Sequence, residues 1–232
     1  MKIAALQDST GASPETLRRR AAADGYLFLR RAIPQDRLMR LRRRVAGACV
    51  ARGWLRRGRT DPSLRLGAYD DPRFIAFLQE IMGTKAYGGL QASPSIRTTL
   101  QTILDDDPVP NVGDLCRLVS PGAVDLTTPP HQDAAYVRSS ERMWTAWMPL
   151  TRCPLPLGPL AVLPGSHRNG LCEHASDGVT VDDDAEWATG DLEPGDVIFF
   201  SSTTIHRALP NLTADRLRIS VDYRYRPRSE LA

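Results

Sequence analysis

The chain has 232 residues and a mass of 25.6 kDa, with 42% apolar and 25% charged side chains. That is the balance of a globular chain with a sizeable core, not of a disordered segment. The net charge of +3 is too small to mark a nucleic-acid binder, even though residues 1–60 hold 15 Lys and Arg against 4 Asp and Glu. No run approaches the roughly 18 apolar residues of a membrane span. The short apolar start Met1–Asp8 does not make a signal peptide, so a cytoplasmic location is expected, with no membrane partner. Cys49, Cys116, Cys153 and Cys172 form no CxxC pair, which argues against a zinc ribbon or a disulfide scaffold.

In chain order, Ser13-Pro14-Glu15 predicts a capped helix with Pro at its first position, ending near Asp24-Gly25. Tyr26–Leu29 reads as a strand. Pro34 opens a second helix, with Leu38, Leu41, Val45 and Cys49 at helical spacing and Arg37, Arg40 and Arg44 on a solvated face. No aromatic residue interleaves those arginines, and no nucleic-acid partner is expected. From about residue 84 short apolar runs alternate with Pro, Gly and Asp. Strands are predicted at Ile96–Ile103, Leu115–Val119, Met143–Leu150, Leu160–Leu163, Asp196–Phe200 and Arg216–Tyr225. This is the pattern of a β sandwich or jelly roll behind an N-terminal helical layer, in a single domain.

Three side chains stand out chemically. His131 and Asp133 are two apart, so on an extended segment they share a side. His206 follows Asp133 after 72 intervening residues, just past the strand expected at Asp196–Phe200. Two His and one carboxylate leave about three positions open on a metal, a set suited to non-haem Fe(II). Further on, Arg216, Arg218, Ser220 and Asp222 fall on one face of an alternating run. A buried Arg needs an anion, either a neighbouring carboxylate such as Asp196, Asp215 or Asp222, or an acidic ligand held by the planar guanidinium.

The spacing HxD–x72–H–x11–R resembles the Fe(II)/2-oxoglutarate-dependent oxygenases, and more narrowly the phytanoyl-CoA dioxygenase-like family. Asp24-Gly25-Tyr26-Leu27-Phe28-Leu29 is similar to that family's DGYxxL strand, and Pro130-His131-Gln132-Asp133 to its metal-ligand setting. Gly158 to His167 resembles its G-x-L-x-x-x-PGSH hairpin, and Leu192-Glu193-Pro194-Gly195-Asp196 its L-x-x-GD turn. The resemblance covers about residues 20–226. It implies a mainly β (α+β) double-stranded β-helix, a cupin-like jelly roll over about residues 84–228, with a helical layer over about 1–83 packed on one side.

It also implies cofactors and roles: Fe(II) on His131, Asp133 and His206; 2-oxoglutarate as co-substrate, its distal carboxylate held by Arg218, or by Arg216, with Ser220 assisting; Trp147 packed against it; and O2. Ala208 stands where many members carry a Ser. The implied reaction is hydroxylation of an unactivated C–H bond in a small metabolite or natural-product intermediate, releasing succinate and carbon dioxide. Asp133 argues against halogenation. A metal-dependent hydrolase and a non-catalytic metal-binding jelly roll are the alternative readings of the same ligands. His167 is expected to make a structural hydrogen bond, and Asp182-Asp183-Asp184 to be a solvated loop. Loops at 55–95, 134–142 and 168–190, holding Tyr136, Arg138, Arg142 and Trp187, are expected around the substrate.

Overall fold

The computed structural model describes residues 1–60, 64, 71–124, 127–137, 142–175 and 178–231; Arg138 lies outside them. The chain opens with β1 (Lys2–Ala5), α1 (Pro14–Asp24) and β2 (Tyr26–Leu29). Helix α1 starts as predicted: the Ser13 hydroxyl accepts from the Thr16 amide at 3.2 Å, and Pro14 is the first helical residue. It stops at Gly25, which takes the left-handed conformation at φ 73°. No side chain fits there, since a Cβ would lie 2.3 Å from His167 Nδ1.

Helix α2 (Gln35–Ala51) buries Leu38, Leu41, Val45 and Cys49; Arg40 and Arg44 face solvent, while the half-buried Arg37 donates to the Gly89 carbonyl at 3.0 Å. Helices α3 (Pro72–Met82), α4 (Lys85–Gln91) and α5 (Pro94–Leu104) extend this layer past residue 84, into the stretch expected to be β. The predicted strand Ile96–Ile103 is therefore a helix. Its Ile and Thr content reads as β, but Ile96, Leu100 and Leu104 recur every four residues and are buried together. Pro94 at the first turn pre-sets the helical φ, and tertiary packing outweighs the weak preference of β-branched residues.

The remaining strands are β3 (Pro108–Pro110), β4 (Leu115–Val119), β5 (Trp144–Pro149), β6 (Leu160–Val162), β7 (Glu186–Thr189), β8 (Val197–Ser201), β9 (His206–Ala208) and β10 (Arg218–Pro227). They build two sheets: β1-β7-β6-β9, and β2-β8-β5-β10, with β3 and β4 both pairing with β10. Together the sheets form a jelly roll. Strand alternation gives the larger sheet two faces. Ile219, Val221, Tyr223 and Tyr225 of β10 pack outward on the helical layer. Trp147, Ile198, Phe200, Leu160 and Val162 fill the space between the sheets. A third cluster, with Trp187, Ile205 and Leu209, lies on the far side of the smaller sheet. Trp187 is thus a buried residue of β7 and not part of a substrate loop.

Two stretches quoted above for their resemblance meet in space. The Asp24 carbonyl accepts from the Gly165 amide at 2.8 Å, and His167 Nε2 lies 3.1 Å from the Ala22 carbonyl. His167 makes the structural bond expected of it, and Asp182–Asp184 are exposed.

Candidate active site

The inward face of β10 carries Arg218, Ser220, Asp222 and Arg224, all buried, a row of polar groups inside an apolar barrel. His131 meets the start of β9 edge-on: its amide and carbonyl exchange 2.9 Å bonds with those of His206. A one-turn helix, α6 (Asp133–Tyr136), begins directly after, so the backbone turns at Asp133 and aims its carboxylate back at the two imidazoles. Between the ligands, Gln132 points the other way and is fully buried. Its Nε2 donates to the Gly170 and Thr203 carbonyls at 2.8 and 2.6 Å, its Oε1 accepts from the Cys172 amide at 2.8 Å, and its amide donates to His174 Nε2 at 3.0 Å. His174 therefore pins the loop that frames the site.

His131, Asp133 and His206 each offer one ligand atom, and these atoms all lie within 4.8 Å of one another. His131 Nδ1 is 2.9 Å from the Pro129 carbonyl, and His206 Nδ1 is 3.0 Å from the Thr204 carbonyl. A carbonyl only accepts, so each Nδ1 carries the proton and each Nε2 keeps its lone pair. Those Nε2 atoms stand 3.9 and 3.8 Å from Asp133 Oδ1. Burial, with repulsion from His206, pulls the His131 pKa down to about 3, and burial also lowers that of His206. Burial alone would raise Asp133, but the charges of Arg224 and His206 and the Arg224 hydrogen bond outweigh it and hold the carboxyl well below its usual range. Two neutral imidazoles and one carboxylate on a single side are a donor set that fits Fe(II).

One narrow cleft is lined by His131 and His206 together with Arg117, Trp147, Arg218 and Asp222. Arg218 is 1% exposed, and its Nη1 donates to the Gly158 carbonyl at 2.6 Å. Two residues along the same face, the buried Ser220 hydroxyl has no hydrogen-bond partner among the described residues. A guanidinium and an orphan hydroxyl on one strand face fit a carboxylate. Ala208, in the wall of the same cleft, offers no hydroxyl. Arg216 is a correction: it precedes β10, is exposed, and donates to the Arg152 carbonyl at 3.1 Å. The strand starts at Arg218, so the alternation does not reach back to it. Arg142 is likewise turned away, donating to the Leu104 carbonyl at 2.7 Å, at the end of α5. Tyr136 stays at the mouth, 63% exposed, its ring edge-on to His131 at 5.7 Å and to His174 at 5.8 Å.

Three residues of the site escaped the sequence reading. Arg224 spans both oxygens of Asp133, with Nε 3.0 Å from Oδ2 and Nη2 2.8 Å from Oδ1, and the Thr145 hydroxyl donates to Oδ2 at 2.7 Å. Arg117, on β4, donates to Asp222 at 2.5 Å. The signal for Arg224 was the alternation itself, which continues two residues past Asp222.

A jelly roll with a clustered His-X-Asp…His set and a buried arginine lining one cleft with the two histidines has the architecture of a non-haem iron oxygenase. The chain belongs to the family described as phytanoyl-CoA dioxygenase (PhyH), which matches residues 22–220. It is thus an Fe(II)/2-oxoglutarate-dependent oxygenase, and the hydrolase and non-catalytic readings fall away. It is 28% identical over 227 residues to the 1-deoxypentalenic acid 11-beta-hydroxylase of Streptomyces exfoliatus, covering 88% of this chain and 78% of that one. The enzyme of the same name from Streptomyces arenae is 27% identical over 226 residues, with the same coverage. The fold is shared with the epimerase SnoN, solved with Fe3+, alpha ketoglutarate and nogalamycin RO: TM-score 0.70 at 20% identity, over 93% of this chain and 84% of that one.

Proposed function

We propose that this chain, acting as one catalytic domain, hydroxylates an unactivated C–H bond of a small natural-product intermediate, with succinate and carbon dioxide released. The observation that carries it is the cluster of ligand atoms of His131, Asp133 and His206, two of whose members, His131 and His206, line one cleft with the buried Arg218. His131, Asp133 and His206 would hold Fe(II), and Arg218 with Ser220 would hold the distal carboxylate of 2-oxoglutarate. Bound together, metal and co-substrate supply the oxidising power that breaks the C–H bond.

The protein's own work is positional. The Pro129 and Thr204 carbonyls fix both imidazole tautomers before any ligand arrives. Trp147, Phe200 and Leu160 wall the cleft with apolar surface that excludes water from it. The Arg218 fork would favour a dicarboxylate over a monocarboxylate of equal length, because a planar guanidinium can hold the distal carboxylate through two parallel hydrogen bonds. Tyr136 places an exposed aromatic ring beside His131, where an apolar substrate skeleton can pack. Relatives named for hydroxylating 1-deoxypentalenic acid support a compact carboxylic acid as the substrate class. Among the described residues no helix is long and apolar enough to cross a membrane. All four cysteines are free thiols, which supports the cytoplasm as the working compartment.

The test is succinate release from 2-oxoglutarate with Fe(II) and oxygen across a panel of apolar cyclic carboxylic acids, with mass spectrometry of the product. A gain of one oxygen atom supports the proposal. Product isomerised or desaturated without added oxygen would refute hydroxylation while leaving the oxygenase class standing.

A further inference from the structure

A carboxylate has two oxygens, each with two in-plane lone pairs, so Asp133 has four acceptor positions to assign. Oδ2 takes two donors, Arg224 Nε at 3.0 Å and the Thr145 hydroxyl at 2.7 Å, and is saturated. Oδ1 takes one donor, Arg224 Nη2 at 2.8 Å, and is the oxygen that lies 3.9 and 3.8 Å from the two imidazole Nε2 atoms. One lone pair of this carboxylate remains, and it belongs to Oδ1.

The clamp is itself held. Arg224 is 3% exposed, its Nη1 donates to the Gly113 carbonyl, and its amide donates to Asp114 Oδ1 at 2.7 Å. Thr145 is fully buried on β5 and pairs directly with Arg224 across the sheet. Neither group can swing away without leaving buried polar atoms unpaired, which is costly.

We propose that Arg224, backed by Thr145, is a positioning residue that restricts Asp133 to offering a metal ion a single oxygen, Oδ1. The inference rests on the reading of His131, Asp133 and His206 as the ligands. Its consequence is the number of positions left open. Two imidazoles and one carboxylate oxygen leave about three positions on a six-coordinate ion, and a carboxylate free to bring both oxygens forward would close one of them. The Arg224 charge has a separate effect: it competes with the metal for Asp133, so its loss favours metal binding. Coordination number and affinity therefore respond to different properties of one side chain.

The experiment uses Mn(II) without co-substrate, with affinity read from the electron-paramagnetic signal of the free ion and bound waters counted from water-proton relaxivity. Arg224→Met removes charge and fork. Arg224→Lys keeps the charge but lacks the planar fork that spans both oxygens. Both variants are expected to bind Mn(II) with about two waters in place of about three, lowering relaxivity per bound ion by roughly a third, while the wild-type count stays at three. Wild-type water counts in the variants overturn the proposal. If Arg224→Met does not fold, Arg224→Lys decides alone, since a purely electrostatic role predicts no change in it. His131→Ala is the control for the ligand reading. Mn(II) bound as tightly there as in wild type removes that reading, whereas Mn(II) lost in His131→Ala with waters unchanged in Arg224→Lys removes only the clamp.

Discussion

Replacing Arg218 separates the structural job of one side chain from the co-substrate role proposed for it. Its Nη1 bond of 2.6 Å to the Gly158 carbonyl is structural, and the residue lines the cleft together with His131 and Trp147. Arg218→Ala leaves the Gly158 carbonyl without that donor, a cost of about 1–3 kcal/mol for a buried acceptor, visible as a lower melting temperature. If Arg218 holds 2-oxoglutarate as proposed, the substitution also deletes the charge-assisted contact to the distal carboxylate, worth about 1.5–3 kcal/mol, or roughly ten- to a hundred-fold in the KM for that co-substrate. Arg218→Lys keeps a charge but not the planar fork and should recover only part of the KM. Arg216→Ala, at an exposed position, should leave both readouts near wild type. The assay is succinate release against 2-oxoglutarate concentration, paired with thermal melting of each variant. If Arg218→Ala melts lower but keeps its KM, the arginine is a strut and the co-substrate site lies elsewhere; if Arg216→Ala carries the KM effect, the assignment along β10 is refuted.

Gly158→Ala should destabilise the fold and raise the same KM, because Gly158 sits at φ +77° and an added Cβ would lie 2.2 Å from the Leu209 carbonyl; urea titration and co-substrate kinetics check the two effects. Tyr136→Ala should leave the melting temperature unchanged and raise the KM for the organic substrate several-fold, as an exposed ring that only contacts ligand should, and an unchanged substrate KM would remove it from the site. Burial raises the Asp114 carboxyl to about 7, although the Arg224 amide donates to it. A carboxyl raised in the folded state contributes stability that is full below about pH 4 and lost as pH rises through about 7, an upper limit on the order of 4 kcal/mol. Asp114→Asn should flatten that slope in melting temperatures taken from pH 4 to 8. His131 has the opposite sign: burial lowers its pKa to about 3, so the metal-free fold should lose stability as pH falls from about 6.5 towards 3. His131→Gln should blunt that acid limb.

The jelly roll was legible because its central strands, β5, β8 and β10, are continuous apolar or alternating runs bounded by Gly and Pro. The helical layer was legible at α1, from its cap, and at α2, from the spacing of Leu38, Leu41, Val45 and Cys49. Ser13-Pro14 was read and Ser93-Pro94 was not, because the Ile and Thr residues that follow the second pair pulled the reading towards strand. Strand β1 escaped for a different reason: at four residues, three of them exposed, it has too little pattern to distinguish it from a loop, and only its parallel pairing with β7 makes it a strand. Within the site, His131, Asp133 and His206 could be named because residue type and spacing alone carry them. Alternation could have put Arg224 on the inward face, but its role could not be named, because that comes from the side-by-side pairing of β10 with β5, which puts it opposite Thr145. Residues that act on other residues leave a weaker mark in a sequence than residues that act on a ligand.

The pairing of β1 with β7 and of β2 with β8 bears on how the chain is made. Lys2–Ala5 hydrogen-bonds along Glu186–Thr189, and Tyr26–Leu29 along Val197–Phe200. Each sheet therefore takes a strand made before α2–α5 and seats it against one made well after them. A ribosome releases β1 and β2 long before their partners exist, and both wait with unpaired edges while the helical layer forms between them. Such distant pairings carry a large loop-closure cost before any contact repays it, and they fold slowly. Closure of both sheets is expected to be a late, post-synthetic event, and a nascent chain halted before residue 186 should display helices but remain open to proteolysis at its first thirty residues.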